Sequence, residues 1–549
     1  MVYIIVAAIL ILCTVLFLRY SAHVNAKKRM DNIRLAWGKP KSGSFYFDRI
    51  SKFATLTKDK GFHQLSQQTL DDIDFYGLFS FIDRTSSKIG QQFLFKKVLQ
   101  PENKIDDTLN TNADLFASNS GLREEIQKEL SRLDTSDAYY ISSLLQDKLL
   151  ERPEWLSFLF INILIIIVLV TLSPIYPILL IFLIVPVSVN MLLHYWNKNN
   201  TYQFVRSFPQ LSLLIDASDK ISKRDILFRN KSVEESIATL KPFQWKMRLL
   251  SLEGGSIKDD LNQVVAYFIE LLKVFLLVEV YTLFHLTKEL ETKKDSILTL
   301  FNYIGAIDTA ISIASLRAGA LKTCKPDLNQ TSKKLSIKNV YHPLIEDCVK
   351  NDLCINGKSI LITGSNMSGK SAFLRTIVIN SILAQTIFTC FADEFKSPML
   401  KQFSSIRIDD NLFERKSYYF EEVNIMASLI KEVECADQNL FILDEVFKGT
   451  NTIERIASAK AILSYLNRNN NIVIVATHDI ELSGMLENEY DLYHFTDTIE
   501  NDKLHFDHKI RAGQLKTRNA IKILEMSNYP EDIIQEAKTL SINLSAIKA

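Results

Sequence analysis

Apolar residues fall along this chain in three patterns. The first is the uninterrupted run. Val2 to Leu18 carries no charge, and Trp155 to Trp196 forms a second block that Ser173-Pro-Ile-Tyr-Pro177 divides into stretches near 155–173 and 175–195. Each is just long enough to cross a bilayer, which takes roughly 17–25 apolar residues in a helix. They are read as three transmembrane helices, the last two forming a hairpin that turns at its prolines. The stretch Asn262 to Leu286 is also strongly apolar but holds Glu270, Lys273 and Glu279. Charges at that depth are costly in lipid, so it is read as a buried helix of a bundle. The second pattern is helical spacing. It runs through residues 45–150, where Asp83-Arg-Thr-Ser supplies a helix start and Phe93, Leu94, Val98 and Leu99 form the stripe behind it, and returns in Ile304 to Ala314. The third is the short continuous strand: Ser359–Thr363, Asn439–Leu443 and Ile472–Ala476, all beyond a linker at Lys325-Pro-Asp-Leu-Asn329. The order of elements predicts an anchor at 1–20, a helical domain in two parts at 45–150 and 198–325 split by a membrane hairpin at 155–196, and an α/β domain at 330–549.

Charge sets the orientation. Arg19, Lys27, Lys28 and Arg29 follow the first run and no basic residue precedes it. By the positive-inside rule the N-terminus lies outside, and 20–154 and 197–549 are cytoplasmic. Trp155, Tyr195 and Trp196 stand at the inner ends, where interfacial aromatics belong. No small-residue cleavage site follows the run, which argues against a cleaved signal peptide. The net charge of +1 points to no partner. Residues 198–248 are locally basic, ten Lys/Arg against five Asp/Glu. Such a segment can track nucleic-acid phosphates, meet anionic headgroups beside the membrane, or form a solvated face. Six cysteines (Cys13, Cys324, Cys348, Cys354, Cys390 and Cys435) show no C-x-x-C spacing. That argues against a zinc site or a disulfide framework and fits a reducing compartment.

The chemistry is carried by three strand ends. Gly364-x-x-x-x-Gly369-Lys370-Ser371, with a strand before it and a helical pattern to about Ala384 after it, is the phosphate-binding loop pattern. The candidate ATP contacts are Gly364, Ser365, Asn366, Met367, Ser368, Gly369, Lys370, Ser371 and Ala372. Backbone N–H groups and the helix N-terminus cradle phosphate oxygens, Lys370 reaches the β/γ-phosphates, and the Ser371 hydroxyl ligates Mg²⁺. The strand ending in Asp444-Glu445 supplies a second Mg²⁺ ligand in Asp444 and a water-polarising carboxylate in Glu445. The strand ending in Thr477-His478 places His478 as a γ-phosphate sensor.

These motifs resemble those of the MutS mismatch-repair ATPases. Thr363-Gly-Ser-Asn-Met-Ser-Gly-Lys-Ser is similar to the family's TGPNMxGKST, with Ser365 in place of Pro and Ala372 in place of Thr. Asp444 to Asn451 resembles DEIGRGTS, Ile408-Asp-Asp-Asn-Leu412 resembles ASDDL, and Ser417-Tyr-Tyr-Phe-Glu-Glu422 resembles STFxxE. Phe81 to Pro101 is similar to the start of the family's core, or lever, domain, and Ile304 to Leu316 to its last helix. Val340-Tyr-His342-Pro343-Leu344 resembles the segment that opens the ATPase domain, and Asn519 to Ala537 the dimerising helical tail. The resemblance implies a P-loop ATPase domain of ABC/MutS type behind an all-α lever, ATP and Mg²⁺ as cofactors, and a homodimer in which Ser417 and Glu422 act in trans. It also implies contact with double-stranded DNA. About 45 residues separate the first run from the lever, too few for the family's mismatch-reading and connector domains, so mismatch specificity is not expected. The localisation implied is a bacterial inner membrane, multi-pass, with the ATPase domain in the cytoplasm. A transport-type ABC ATPase is the competing expectation, and the chain lacks its LSGGQ signature. A membrane-tethered scaffold that uses ATP to rearrange a protein partner is a second, with the partner unspecified.

Overall fold

A computed structural model describes residues 20–548, apart from 22–23, 25, 57–60, 105, 147–149, 151–152, 154–155, 157, 251–277, 331–332, 366–367, 407–417, 448–449, 501–502, 516–520, 522–523, 526 and 528. The expected span at 2–18 lies outside the described residues. The chain divides into two compact units, one from residues 1–59, 82–96 and 107–319, the other from 60–81, 97–106 and 320–549. The first unit is helical. The second is α/β, and it takes in two short segments of the stretch that the sequence assigns to the helical domain.

The helical unit is built on Lys294–Gly319, a 26-residue helix with Ile297, Leu300, Phe301, Ile304, Ile307 and Ile311 buried along it. Asp295 in its first turn and Arg317 in its last complement the helix dipole. Length and hydropathy alone would pass this helix as a membrane span, yet 72% of its 18-residue apolar window is buried inside the protein. It is a core helix, and Asp308 shows why. That carboxylate accepts from Ser86 N–H (2.7 Å), Ser87 N–H (2.8 Å) and Ser87 Oγ (2.6 Å). These are the amides just before the helix Lys88–Leu99. The helix expected to begin at Asp83-Arg-Thr-Ser therefore begins at Lys88 and takes its cap from a residue far along the chain. Asp83 instead accepts from Lys41 Nζ (2.9 Å), Thr85 N–H (2.9 Å) and Gln91 Nε2 (2.6 Å). The two helices close to contact at glycines. A Cβ on Gly90 would stand 2.1 Å from Asp308 Oδ2, and one on Gly305 would stand 2.6 Å from Phe93.

The apolar block forms the predicted hairpin. Phe158–Leu172 runs out, the chain turns through Ser173 to Ile178, and Leu179–Phe182 and Ile184–Asn200 return. Its apolar side chains face outward: Phe158 is 69% exposed, Leu164 60%, Ile178 65% and Leu192 72%. Between the arms Asn162 Nδ2 donates to Asn190 Oδ1 (2.5 Å) and Pro186 O (3.1 Å). Leu179–Trp196 has the length and hydropathy of a span, whereas Phe158–Leu172 has 15 residues, about 22 Å of helix, shorter than a hydrocarbon core. The described part of the 262–286 stretch belongs to the helix Val278–Glu291, which buries Val280, Leu283 and Leu286. Its Val280 and Phe284 pack on Leu156 and Leu159 at the base of the hairpin.

The basic segment lies on Tyr202–Ser222, Lys231–Leu240 and Gln244–Leu250. Seven of its ten cations are ion-paired: Arg206 with Asp137, Lys220 with Glu129, Lys223 and Lys241 with Asp219, Arg224 with Glu125, Lys231 with Glu235, and Lys246 with Glu289.

The α/β unit holds two sheets. Strands β1 (Lys334–Val340), β2 (Asn351–Asn356) and β4 (Glu394–Lys396) form a small antiparallel sheet in the order β2-β1-β4. The main sheet adds β3 (Ser359–Thr363), β5 (Lys401–Ser405), β6 (Asn439–Asp444), β7 (Ile472–Thr477), β8 (Tyr490–Glu500) and β9 (Lys503–Ala512) in the order β5-β6-β7-β3-β8-β9. It is parallel through β8, and β9 is antiparallel. β3 and β7 are buried at every position, as strands covered on both faces should be. On one face Leu361, Phe441, Leu443, Val473 and Val475 pack with Leu429, Leu463 and Leu486 of the helices Tyr418–Val433, Thr452–Leu466 and Glu481–Leu486. The helix Lys370–Ile387 packs against β5, β6 and β7.

Residues 60–81 belong to this unit through polar anchors. Asp72, 1% exposed, accepts from Ser404 Oγ (2.6 Å) and Ile406 N–H (3.0 Å) at the end of β5. His63 Nε2 lies 2.8 Å from Gln402 O. Two of the scattered cysteines also meet. Cys324 and Cys390 face each other across an antiparallel bridge, and both are free thiols.

Candidate nucleotide site

The register of the main sheet brings the three motifs together. Thr363 pairs with Thr477, and Asp444 with Ala476, so β3, β6 and β7 end at the same level. Gly364, Glu445 and His478 each follow directly. Ligands of parallel α/β sheets bind at this edge.

The loop after β3 turns through two glycines in backbone regions that a side chain disfavours, Gly364 at φ 151° and Gly369 at φ 105°. Both also sit where a side chain would collide. A Cβ on Gly364 would lie 2.9 Å from Phe495 O, and one on Gly369 3.0 Å from His508 Nδ1. Gly369 is the N-cap of Lys370–Ile387. Lys370, 4% exposed, donates from Nζ to Gly364 O (2.7 Å) and Ser365 O (2.8 Å), folding its ammonium into the loop. Ser368 Oγ donates to Ser365 O at 2.8 Å. The Ser365 hydroxyl is buried with no hydrogen-bond partner among the described residues. Ala372 lies in the first helical turn, its carbonyl accepting from Thr376 Oγ1 at 2.7 Å.

Ser371 Oγ donates to Asp444 Oδ2 across the gap between loop and β6. A hydroxyl and a carboxylate meeting at one point are hard oxygen donors of the kind Mg²⁺ takes, and they stand beside a loop shaped for phosphate. The residues present fit both Mg²⁺ and a nucleotide.

Glu445 takes a left-handed backbone (φ 56°) with its N–H on Ala476 O at 2.9 Å. This turns its carboxylate towards β7, where Oε1 lies 2.7 Å from His478 Nε2. Lys370 Nζ is 3.5 Å from the same nitrogen. The carboxylate expected to polarise water and the imidazole expected to sense phosphate are thus hydrogen-bonded to each other.

Two supports carry no motif. Arg455, on Thr452–Leu466, grips Asp479 with two bonds, Nε to Oδ2 (2.9 Å) and Nη2 to Oδ1 (2.7 Å), and fixes the turn that carries His478. His508 on β9 sets Nδ1 3.1 Å from Ser368 O and so braces the phosphate loop from outside. Asp479 stands next to His478 in the sequence, whereas Arg455 and His508 give no local signal. Asn366, Met367, Ser417 and the 408–412 segment lie outside the described residues. Glu422 lies on Tyr418–Val433 at 1% exposure.

Residues 360–545 match the family model for MutS domain V. Over these residues the chain is similar to the MutS family. Similar proteins include the DNA mismatch repair protein MutS of Thermus thermophilus, 30% identical over 221 residues that cover 40% of this chain and 27% of that one. That of Petrotoga mobilis is 31% identical over 318 residues, 55% of this chain and 38% of its own. That of Prochlorococcus marinus is 27% identical over 341 residues, 58% of this chain and 37% of its own. The chain thus spans well under half the length of these MutS relatives. The helical part and mixed sheet described above fit a MutS domain V with helices before it.

Proposed function

We propose that this chain is a membrane-anchored MutS-like ATPase that works as a homodimer and touches double-stranded DNA without preferring mispairs. One observation carries the ATPase reading: the phosphate loop, the Ser371–Asp444 pair and the Glu445–His478 pair share one sheet edge. Backbone N–H groups of the loop and Lys370 bind the phosphates. Ser371 and Asp444 would hold Mg²⁺, which supplies positive charge against the β- and γ-oxygens. Glu445 accepts a hydrogen bond from the attacking water and aims it, and His478 holds the carboxylate in that aim. Phosphoryl transfer asks little else of a protein, since positioning and charge stabilisation make up most of the catalysis.

Membrane anchoring is supported by the apolar exterior of the 158–200 hairpin, a surface far larger than soluble proteins leave bare. The reading adds the 2–18 run as a third span and places both units in the cytoplasm of a bacterial cell. Protease added to right-side-out vesicles should then spare residues 330–549, and their digestion would reverse the orientation.

Shared sites in a homodimer rest on the likeness of Ser417-Tyr-Tyr-Phe-Glu-Glu422 to the family's trans-acting signature. The test mixes Lys370→Ala chains with Ser417→Ala chains, each inactive alone. A mixed dimer has one site with both defects and one with neither, so ATP hydrolysis should partly return. No recovery in verified mixed dimers would make the site complete within one chain.

The ion-paired state of 198–248 favours a second reading, in which the same ATP cycle rearranges a protein partner at the membrane. DNA contact would be through phosphates, which carry no sequence information, so homoduplex and mispaired duplex should bind alike.

A further inference from the structure

The helical unit carries a cavity of 620 Å³ under the segment that leads in from the N-terminus. Three contacts hold that segment across the bundle. Gly38 N–H donates to Ser315 Oγ (3.0 Å), Arg34 pairs with Glu124 (2.9 Å), and the guanidinium of Arg123 lies 3.6 Å from the ring centre of Trp37. The backbones of Gly38 and Gly319 approach so closely that a Cβ on Gly319 has no room. The strap is thus fixed along its length, and the space beneath it is bounded by fixed walls.

Those walls are unevenly charged. Arg29, Lys39, Lys41, Arg84 and Lys88 line the cavity with a single carboxylate, Asp134. Lys41 is aimed by Asp83 (2.9 Å) and Thr85 Oγ1 (2.8 Å), and Lys88 by Asp134 (3.0 Å). Arg84 is 8% exposed, and burial pulls its guanidinium down to about 10. An anion in the cavity would meet these cations in charge-assisted hydrogen bonds. A second observation points the same way. Gln127, 7% exposed, gives Nε2 to Ser86 Oγ (3.2 Å), while its Oε1 is buried and receives no hydrogen bond among the described residues. A buried acceptor on the wall calls for a ligand that also donates.

We propose that this cavity binds a small phosphate ester bearing hydroxyl or amino donors, with its phosphates on the Arg29, Lys39 and Arg84 side and a donor on Gln127 Oε1. The volume is that of a nucleotide-sized pocket, for which roughly 300–1,000 Å³ is usual. The same chemistry can come free in solution, as a nucleotide, or on an anionic lipid headgroup with glycerol hydroxyls. The site is independent of the phosphate loop in the other unit.

The test uses the full chain carrying Lys370→Ala, in nanodiscs of phosphatidylcholine, with radiolabelled ATP in equilibrium dialysis. Saturable binding should persist. Arg29→Gln with Lys39→Gln, both exposed positions that leave the fold untouched, should weaken it at least about tenfold, and Gln127→Leu by a similar factor. ATP still held at the phosphate loop would be indifferent to all three changes. A parallel arm purifies the chain from phosphatidylglycerol-containing nanodiscs and counts retained lipid by native mass spectrometry. Lipid kept by the parent and lost in Arg29→Gln/Lys39→Gln, without ATP binding in the first arm, assigns the cavity to the headgroup. The proposal is overturned if neither probe depends on Arg29, Lys39 and Gln127.

Discussion

Glu445 and His478 meet across the ends of neighbouring strands, carboxylate oxygen to Nε2 at 2.7 Å, with Glu445 in a left-handed backbone and His478 on a turn held by Arg455 and Asp479. The pair predicts a coupled loss. Glu445→Gln should leave nucleotide binding intact and cut the turnover rate by a factor on the order of 10² or more, the usual worth of a positioned acid or base. His478→Ala should cost less, about tenfold, because the carboxylate stays and only its aim is lost. The double variant should be no slower than Glu445→Gln alone. Strictly additive losses in single-turnover measurements would mean that His478 acts on the substrate by itself.

Gly369 joins the phosphate loop to its helix under two constraints, a left-handed backbone and the His508 imidazole against its α-carbon. Gly369→Ala should therefore lower nucleotide affinity at least about tenfold through strain in the loop. Adding His508→Ala removes the contact but leaves φ as it was, so affinity measured with a fluorescent nucleotide should recover only in part. Full recovery would make the contact, not the backbone, the operative constraint.

Local pattern made much of this site legible. A glycine-lysine-serine turn between a buried strand and a helix, and an apolar strand closed by two acids, put Lys370, Ser371, Asp444 and Glu445 at one place because strand ends in one parallel sheet share an edge. The Glu445–His478 bond, the Arg455–Asp479 clamp and the His508 brace were not legible, since each joins residues whose proximity depends on strand order. The same reason hides the cap of Lys88–Leu99, supplied by Asp308 from a helix over 200 residues away. Residues 60–81 read as part of the lever because their spacing is helical, yet the buried carboxylate of Asp72 ties them to β5. The hairpin at 158–200 was legible because its two apolar runs are long and the prolines between them mark the turn. Lys294–Gly319 shows how a buried core helix passes the same test.

His63 and His342 give the α/β unit a defined acid sensitivity. Both imidazoles are held down to about 4, chiefly by burial; the Gln402 carbonyl opposes this at His63 and Lys401 adds to it, while Arg375 adds to it at His342 against the opposing pull of Asp74. A histidine held neutral in the fold but protonated near 6.5 when unfolded stabilises fully above pH 6.5, and that stability is lost as pH falls towards 4. Each group contributes on the order of a few kcal/mol over that window. Hydrogen exchange of the β5 amides, followed by mass spectrometry, should accelerate steeply between pH 6.5 and 4.5 after correction for intrinsic rates. In His63→Gln/His342→Gln the corrected rates should change far less. An unchanged slope in the double variant would assign the acid sensitivity to other groups.

The ion pairs of 198–248 set the form that any DNA binding takes. A cation gains least from a phosphate when it must first leave a carboxylate, and trading one anion for another releases no condensed counterion. Seven of the ten cations stand in that position. With each neutralised phosphate contributing about −0.9 to the slope of log K against log salt, a segment whose seven paired cations contribute little should give a shallow slope. Removing the competing carboxylates should change this in a predictable direction. Glu129 holds Lys220 and Arg132, and Asp219 holds Lys223 and Lys241. Glu129→Gln with Asp219→Asn should therefore tighten binding to a duplex at low salt and steepen the slope by about three, roughly one for each of Lys220, Lys223 and Lys241 turned towards a phosphate. Filter binding across a salt series, with the chain in neutral-lipid nanodiscs, reads both quantities. A parent slope near −6 or beyond, unmoved by the two substitutions, would locate the phosphate contacts on another surface. Undetectable binding by parent and variant alike would leave the ATP cycle to act on a protein partner.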